Sequence, residues 1–199
     1  AGQVVYKSDT LAISDLSLTT PIVRGNLDIE LVLPIGDTLA GDFDINLQGE
    51  DIRYLVPSND WFEPAQAAYS IVAAGGMQNE DLSLQRFLLK IGETEISALG
   101  GIKTGAGENS TDLVVSATSS DLSALGALNE KALPALPLNL GAELKANARQ
   151  FRLHNINGSL GDSDFNGYLD VSNRDEKPFV DVKLDSRSFD ILPLLKMFK

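Results

Sequence analysis

Three stretches of this chain end alike at nearly equal intervals, and that interval restricts the fold more than any other feature. The run Leu47-Gln48-Gly49-Glu50-Asp51-Ile52-Arg53-Tyr54-Leu55 is echoed by Ala117-Thr118-Ser119-Ser120-Asp121-Leu122-Ser123-Ala124-Leu125. It returns as Leu184-Asp185-Ser186-Arg187-Ser188-Phe189-Asp190-Ile191-Leu192, so the Asp-aliphatic pairs lie 70 and 69 residues apart. A second marker keeps the period: Gly92-Glu93-Thr94-Glu95-Ile96-Ser97-Ala98-Leu99 matches Gly161-Asp162-Ser163-Asp164-Phe165-Asn166-Gly167-Tyr168, 69 residues on. An earlier copy runs from Thr20 to Leu27, with Gly25 as the counterpart of Gly167. Two independent markers with one period indicate tandem supersecondary units that bury their faces against one another. We place the repeats at about residues 11–57, 82–128 and 151–197 of a single repetitive segment, 1–199.

Within each unit the periodicity is two. Leu27-Asp28-Ile29-Glu30-Leu31 and Phe43-Asp44-Ile45-Asn46-Leu47 alternate, as does Phe179-Val180-Asp181-Val182-Lys183-Leu184-Asp185, read with a slip at Val180. Alternation puts the apolar side chains on one face of a strand and the polar ones on the other. Gly105-Ala106-Gly107-Glu108-Asn109 and Asn173-Arg174-Asp175-Glu176 read as turns. Helical spacing is expected over 121–133 and 189–198, and more weakly over 60–69; in the second, Pro193 limits the first turn. The fold class is therefore mainly β: tandem repeats of antiparallel strands forming a curved, extended sheet or a sandwich, with a few short helices.

Charge and composition narrow the function. The net charge of −12 opposes phosphate backbones, which bind by releasing counterions to Lys and Arg, so nucleic acid is not an expected partner. The same charge opposes a polybasic grip on lipid headgroups but leaves contact with acyl chains open. The chain has no cysteine, which removes disulfides, thiol nucleophiles and Cys-based zinc sites. No run approaches the roughly 18 apolar residues of a membrane span, and the start lacks a signal peptide's basic leader and apolar core. Patterned sequence reaches both ends, so the chain is expected to be a fragment of a larger protein.

Catalysis finds little material. The single histidine, His154, falls on the polar face of Phe151-Arg152-Leu153-His154-Asn155-Ile156 and reads as a solvent-facing strand residue rather than a base. No G-x-S-x-G elbow or phosphate-cradling glycine loop is present. Asp162-Ser163-Asp164-Phe165-Asn166-Gly167-Tyr168-Leu169-Asp170 matches the first nine positions of a calcium loop, but position twelve is Asn173, which cannot give a bidentate carboxylate. The other repeats lack these acids and read as strand there. The expectation is a non-enzymatic chain with no catalytic, cofactor or metal residues and no cofactor.

A glycine-containing strand pair, carried by residues 153–169, precedes a strand closing in Ser-x-x-[Phe/Leu]-Asp-[Ile/Leu]-x-x-Leu-Leu, carried by residues 182–195. Weaker copies run over 84–102 with 113–125, and over 16–27 with 45–55. This repeated grammar resembles the AsmA-like family of bacterial envelope proteins. The resemblance implies a periplasmic module of an inner-membrane-anchored protein involved in outer-membrane biogenesis. It implies a long sheet whose apolar groove accommodates or conducts phospholipid or another apolar ligand, beside other envelope proteins. Leu27, Ile29 and Leu31 exemplify the residues such a groove would draw on. The alternative is a β-sandwich adhesion or assembly module without lipid, stiffened by calcium at Asp162 and Asp164.

Overall fold

The computed structural model describes residues 2–7, 10–20, 23–32, 40–79, 81–104, 109–174 and 177–190. The first four strands are β1 (Gln3–Lys7), β2 (Thr10–Thr19), β3 (Arg24–Val32) and β4 (Ala40–Gly49). After a connector holding the short β5 (Phe62–Pro64) come β6 (Tyr69–Gln78), β7 (Asp81–Ile91), β8 (Thr94–Lys103) and β9 (Ser110–Ser119). A second connector holds β10 (Gly126–Leu128) and β11 (Lys131–Ala132). It leads to β12 (Leu138–Asn147), β13 (Gln150–Leu160), β14 (Ser163–Arg174) and β15 (Lys177–Asp185). The long strands make one 12-stranded sheet in the order β1-β2-β3-β4-β6-β7-β8-β9-β12-β13-β14-β15, with every neighbouring pair antiparallel. The short ones form a small sheet, β11-β10-β5. Of the two arrangements left open by the sequence, the extended sheet is the one adopted.

The repeat is a set of four strands, one more than the expected boundaries enclosed: β1, β6 and β12 open each set. A β-bulge recurs in every set. It lies between Ile13 and Leu16 in β2, Leu84 and Phe87 in β7, and Leu153 and Ile156 in β13. At each, two residues oppose one on the next strand, which bends the sheet and raises its twist.

The Asp-aliphatic marker has a local physical cause. Asp51 and Asp121 each precede a single 3-10 turn, Ile52–Tyr54 and Leu122–Leu125. Their carboxylates accept the N–H of Arg53 at 3.0 Å and of Ser123 at 2.9 Å, satisfying donors that the turn leaves free. Ile52, the aliphatic of the first pair, is only 2% exposed. In the third copy the Asp190 N–H donates to the Ser163 hydroxyl at 2.8 Å, and Ile191 onward lies outside the described residues.

Several expectations are corrected. Residues 121–133 are not a helix: the turn stops at Gly126, whose φ of 128° suits no other residue, and the chain then enters β10 and β11. Residues 60–69 hold β5 instead of a helix, because Gly126, Ala127 and Leu128 of β10 pair with Pro64, Glu63 and Phe62. The helix expected over 189–198 falls outside the described residues from 191, as do 105–108 and 175–176 of the two expected turns. Asn173 and Arg174 end β14. Gly25 is not the counterpart of Gly167: pairing carries its row through Leu47, Ile71, Leu89, Ile96, Ala117, Leu140 and Gly158 to Phe165. Its reason is local, since a Cβ there would meet the Asn46 carbonyl oxygen at 2.1 Å. In β15 the misplaced residue is Phe179, not Val180: Val180 pairs with Val171 in the apolar rows, and Phe179 pairs with Ser172.

Candidate functional site

Following the pairing from strand to strand separates the two faces of the large sheet. One row reads Phe43, Gly75, Leu84, Gly100, Leu113, Leu144, Leu153, Leu169, Val182. The adjacent row toward the connectors includes Ile45, Ala73, Phe87, Ala98, Val115 and Ala142. The adjacent row on the other side includes Met77, Leu82, Ile102, Ala146, Phe151, Val171 and Val180. Among the described residues, no paired position on this face is Asp, Glu, Lys, Arg or His. The opposite face carries Asp42, Asp44, Asp112, Glu143, Lys145, Arg152, Asp170, Asp181 and Lys183.

Among the described residues, no second layer lies on the apolar face to make a closed core. Few apolar side chains among the described residues are buried: Ile52, Pro64, Tyr69, Ala73 and Ala142. Phe43, Leu84, Phe87, Leu113, Leu144 and Leu169 are half-buried. The chain exposes 13098 Å², whereas a compact protein of 21.3 kDa exposes about 9,100 Å². A single-layer sheet explains the excess, because each strand buries its apolar side chains only against its neighbours. Five inner positions per strand span about 27 Å, and twelve strands span about 53 Å across the sheet.

One end of this face is closed by polar groups that satisfy each other. Thr94, 2% exposed, shares a 2.8 Å hydrogen bond with Ser119, also buried. One repeat later Ser163 takes the same place and accepts from the Asp190 N–H. The connectors lie along this rim: Ile52 N–H donates to Ala67 O, Leu122 N–H to Leu136 O, and Ala65 N–H to Leu125 O. Arg53 folds back onto the Asp51 carboxylate and holds it below the usual carboxylate range, mainly through their side-chain hydrogen bonds. Tyr54, Trp61 and Leu128 stay exposed on the connectors. Tyr69 sits at the rim beside a cavity of about 240 Å³ shared with Thr20, Arg24, Gln48 and Glu50, and burial raises its phenol pKa.

The residues weighed for chemistry lie elsewhere. His154 stands at the β13 bulge on the polar face, its Nε2 3.2 Å from Asp170 Oδ1 and its ring 5.9 Å from that of Tyr168. Arg152 Nε approaches the same carboxylate oxygen at 3.3 Å. The partner of the His154 ring is this carboxylate. The segment from Asp162 to Asp170 is not a loop: Ser163 onward is β14, so its oxygens alternate between faces instead of converging. Asp164 Oδ1 accepts the N–H groups of Ser188 at 2.8 Å and Arg187 at 2.9 Å and the Ser186 hydroxyl at 3.2 Å. Those backbone hydrogen bonds, Ser188 first, hold its pKa below the usual value. Among the described residues, no three acidic or histidine side chains are grouped to hold a metal ion.

Ile29 occupies the apolar row between Ile13 and Phe43, and Leu27 and Leu31 hold the flanking register positions. Sequence reasoning found this face through its alternation but missed the bulges and the Thr94–Ser119 latch. Their signal was present in the 69-residue spacing of Thr94 and Ser163. What the site offers chemically is apolar contact area, roughly 25 cal/mol for each Å² removed from water. Among the described residues, no helix is long and apolar enough to cross a membrane. Comparison of the chain with protein-family models, with curated proteins and with solved structures finds no match to any of them.

Proposed function

We propose that this chain is a non-catalytic module of the AsmA-like type that shelters phospholipid acyl chains against its large apolar face. The single observation that carries the reading is the face itself: twelve strands wide and, among the described residues, free of charged positions and without a covering layer. Exposed apolar area on this scale is costly in water and marks an interaction surface. The dimensions suit lipid tails. A bilayer core of roughly 30 Å holds two acyl layers, or about 15 Å each, so an apolar strip about 27 Å deep covers a tail lying along a strand. Passage from row to row needs no reacting group. In this reading the module works in the periplasm, within a longer protein anchored in the inner membrane and serving outer-membrane biogenesis.

The test is native mass spectrometry of detergent-free protein, followed by extraction and identification of lipid. Near-stoichiometric phospholipid supports the reading and identifies the cargo. A clean 21.3 kDa mass that persists after incubation with phospholipid vesicles refutes it.

A further inference from the structure

We infer that the cavity where β4 meets β6 is a headgroup subsite, which takes the phosphodiester and primary ammonium of a phosphoethanolamine lipid. The inference rests on the acyl-chain reading above and adds to it a place and a headgroup class.

The cavity exists because one repeat lacks what the next one has. Between β9 and β12, Ser119 pairs with Leu138, and its hydroxyl is latched to Thr94. Ser119 lies six residues after Leu113, and Gly49 lies six residues after Phe43, which holds the place of Leu113 in the first set. Gly49 pairs with Tyr69 of β6 as Ser119 pairs with Leu138. Glycine has no hydroxyl to latch, and neither has Val23, one register step beyond the Arg24–Gln48 pair. The space left is about 240 Å³, far above the roughly 10–15 Å³ that a single water needs.

Tyr69 gives this space a demand for a ligand. The residue is only 4% exposed, and its hydroxyl has no hydrogen-bond partner among the described residues. Buried polar groups are rarely left unmet, because they have lost water without a replacement. Burial raises the phenol pKa, so the group stays a protonated donor in need of an acceptor. The neighbouring Thr20 hydroxyl is already engaged, accepting from the Val23 N–H at 2.9 Å and donating to Val23 O at 3.2 Å.

Charge sets the class of the acceptor. Arg24 and Glu50 both line the cavity and are exposed, and among the described residues neither makes an ion pair. Arginine presents a planar fork of donors suited to phosphate oxygens, and a carboxylate accepts from a primary ammonium. A simple anion would be repelled by Glu50 and a simple cation by Arg24, whereas a zwitterion meets each with the opposite sign. Gly49 and Tyr69 belong to the end row of the apolar face, followed along the strands by Leu47 with Ile71 and then Ile45 with Ala73. A lipid held here by its head lays its tails over that face.

The test uses a phosphatidylethanolamine and a diacylglycerol bearing the same fluorescent tail, titrated into the unmodified protein and into Arg24→Gln and Tyr69→Phe. The phosphatidylethanolamine should bind the unmodified protein more tightly. Its affinity should fall about tenfold in Arg24→Gln and about fivefold in Tyr69→Phe, while that of the diacylglycerol stays the same in both. Tyr69→Phe should melt no lower than the unmodified protein, because the hydroxyl it removes has no partner to lose. Water-soluble glycerophosphoethanolamine should compete only weakly; competition as strong as that of the whole lipid would make the cavity a site for a free zwitterion and overturn the lipid assignment. Equal affinity for the two lipids, untouched by Arg24→Gln, overturns the subsite and leaves the acyl-chain reading standing. Binding of neither lipid overturns that reading and the subsite with it.

Discussion

Val114 and Val115 are neighbours on β9 that stand on opposite faces of the sheet, so substituting each in turn tests whether acyl chains bind the apolar face. Val115 lies in the apolar rows between Ala98 and Ala142, whereas Val114 pairs with Leu99 and Glu143 and is 52% exposed. Aspartate at position 115 would meet lipid tails when the face is occupied. A carboxylate in hydrocarbon costs about 2.5–3.5 kcal/mol, and 1.4 kcal/mol is tenfold in affinity, so Val115→Asp should weaken phospholipid binding about a hundredfold. In the lipid-free protein the same carboxylate remains hydrated on an open face. A loss of about 1 kcal/mol, lowering Tm by about 2–4 °C, is expected there. Val114→Asp meets only the like charge of Glu143, at a cost of roughly 0.2–1 kcal/mol in stability, and should leave lipid binding unchanged. Titration of each variant with a phospholipid bearing a fluorescent tail gives the ratio of Kd values, and thermal melting with far-UV circular dichroism reports the fold. Equal affinity of the two variants, with both folded, would refute the assignment of the faces to lipid and water.

Three more outcomes rest on single contacts. Thr94→Val or Ser119→Ala alone leaves one buried hydroxyl without its 2.8 Å partner and should cost about 1–3 kcal/mol in urea unfolding. The double variant should recover most of that loss; additive losses would mean the hydroxyls act separately. Asp164, held below its ordinary value by the backbone of Ser188 and Arg187, contributes stability that is complete above the usual carboxylate range. That contribution disappears as pH falls through the depressed value, so Asp164→Asn should flatten the acid limb of a Tm-against-pH curve; an unchanged limb counts against it. Millimolar calcium should not move the melting temperature, because Asp164 is engaged by backbone N–H groups and its neighbours alternate along β14. A clear rise abolished by chelator would restore the calcium-loop reading of Asp162 to Asp170.

What the sequence determined by itself is local and periodic. Alternation in runs such as Phe43 to Leu47 dictates strands with one apolar face, because side chains alternate across a pleated backbone wherever the strand lies. The 70-residue recurrence of Asp51 and Asp121 was legible because an aspartate that caps a turn acts within its own few residues. Helical spacing at 121–133 misled for the complementary reason. The turn ends at Gly126, and β10 is a strand because it pairs with β11 on one side and, on the other, with β5, more than 60 residues earlier.

Tertiary structure alone decided everything that needs a partner strand. It assigned Gly25 to the row of Phe165, placed Phe179 on the polar face, and set three bulges in equivalent hairpins. It also decided between sandwich and open sheet, the point on which function turns. The same alternating residues satisfy a second sheet, a lipid tail or a partner's edge equally well. Hydrophobic attraction has no direction, so a sequence can specify that a face is apolar without specifying what covers it.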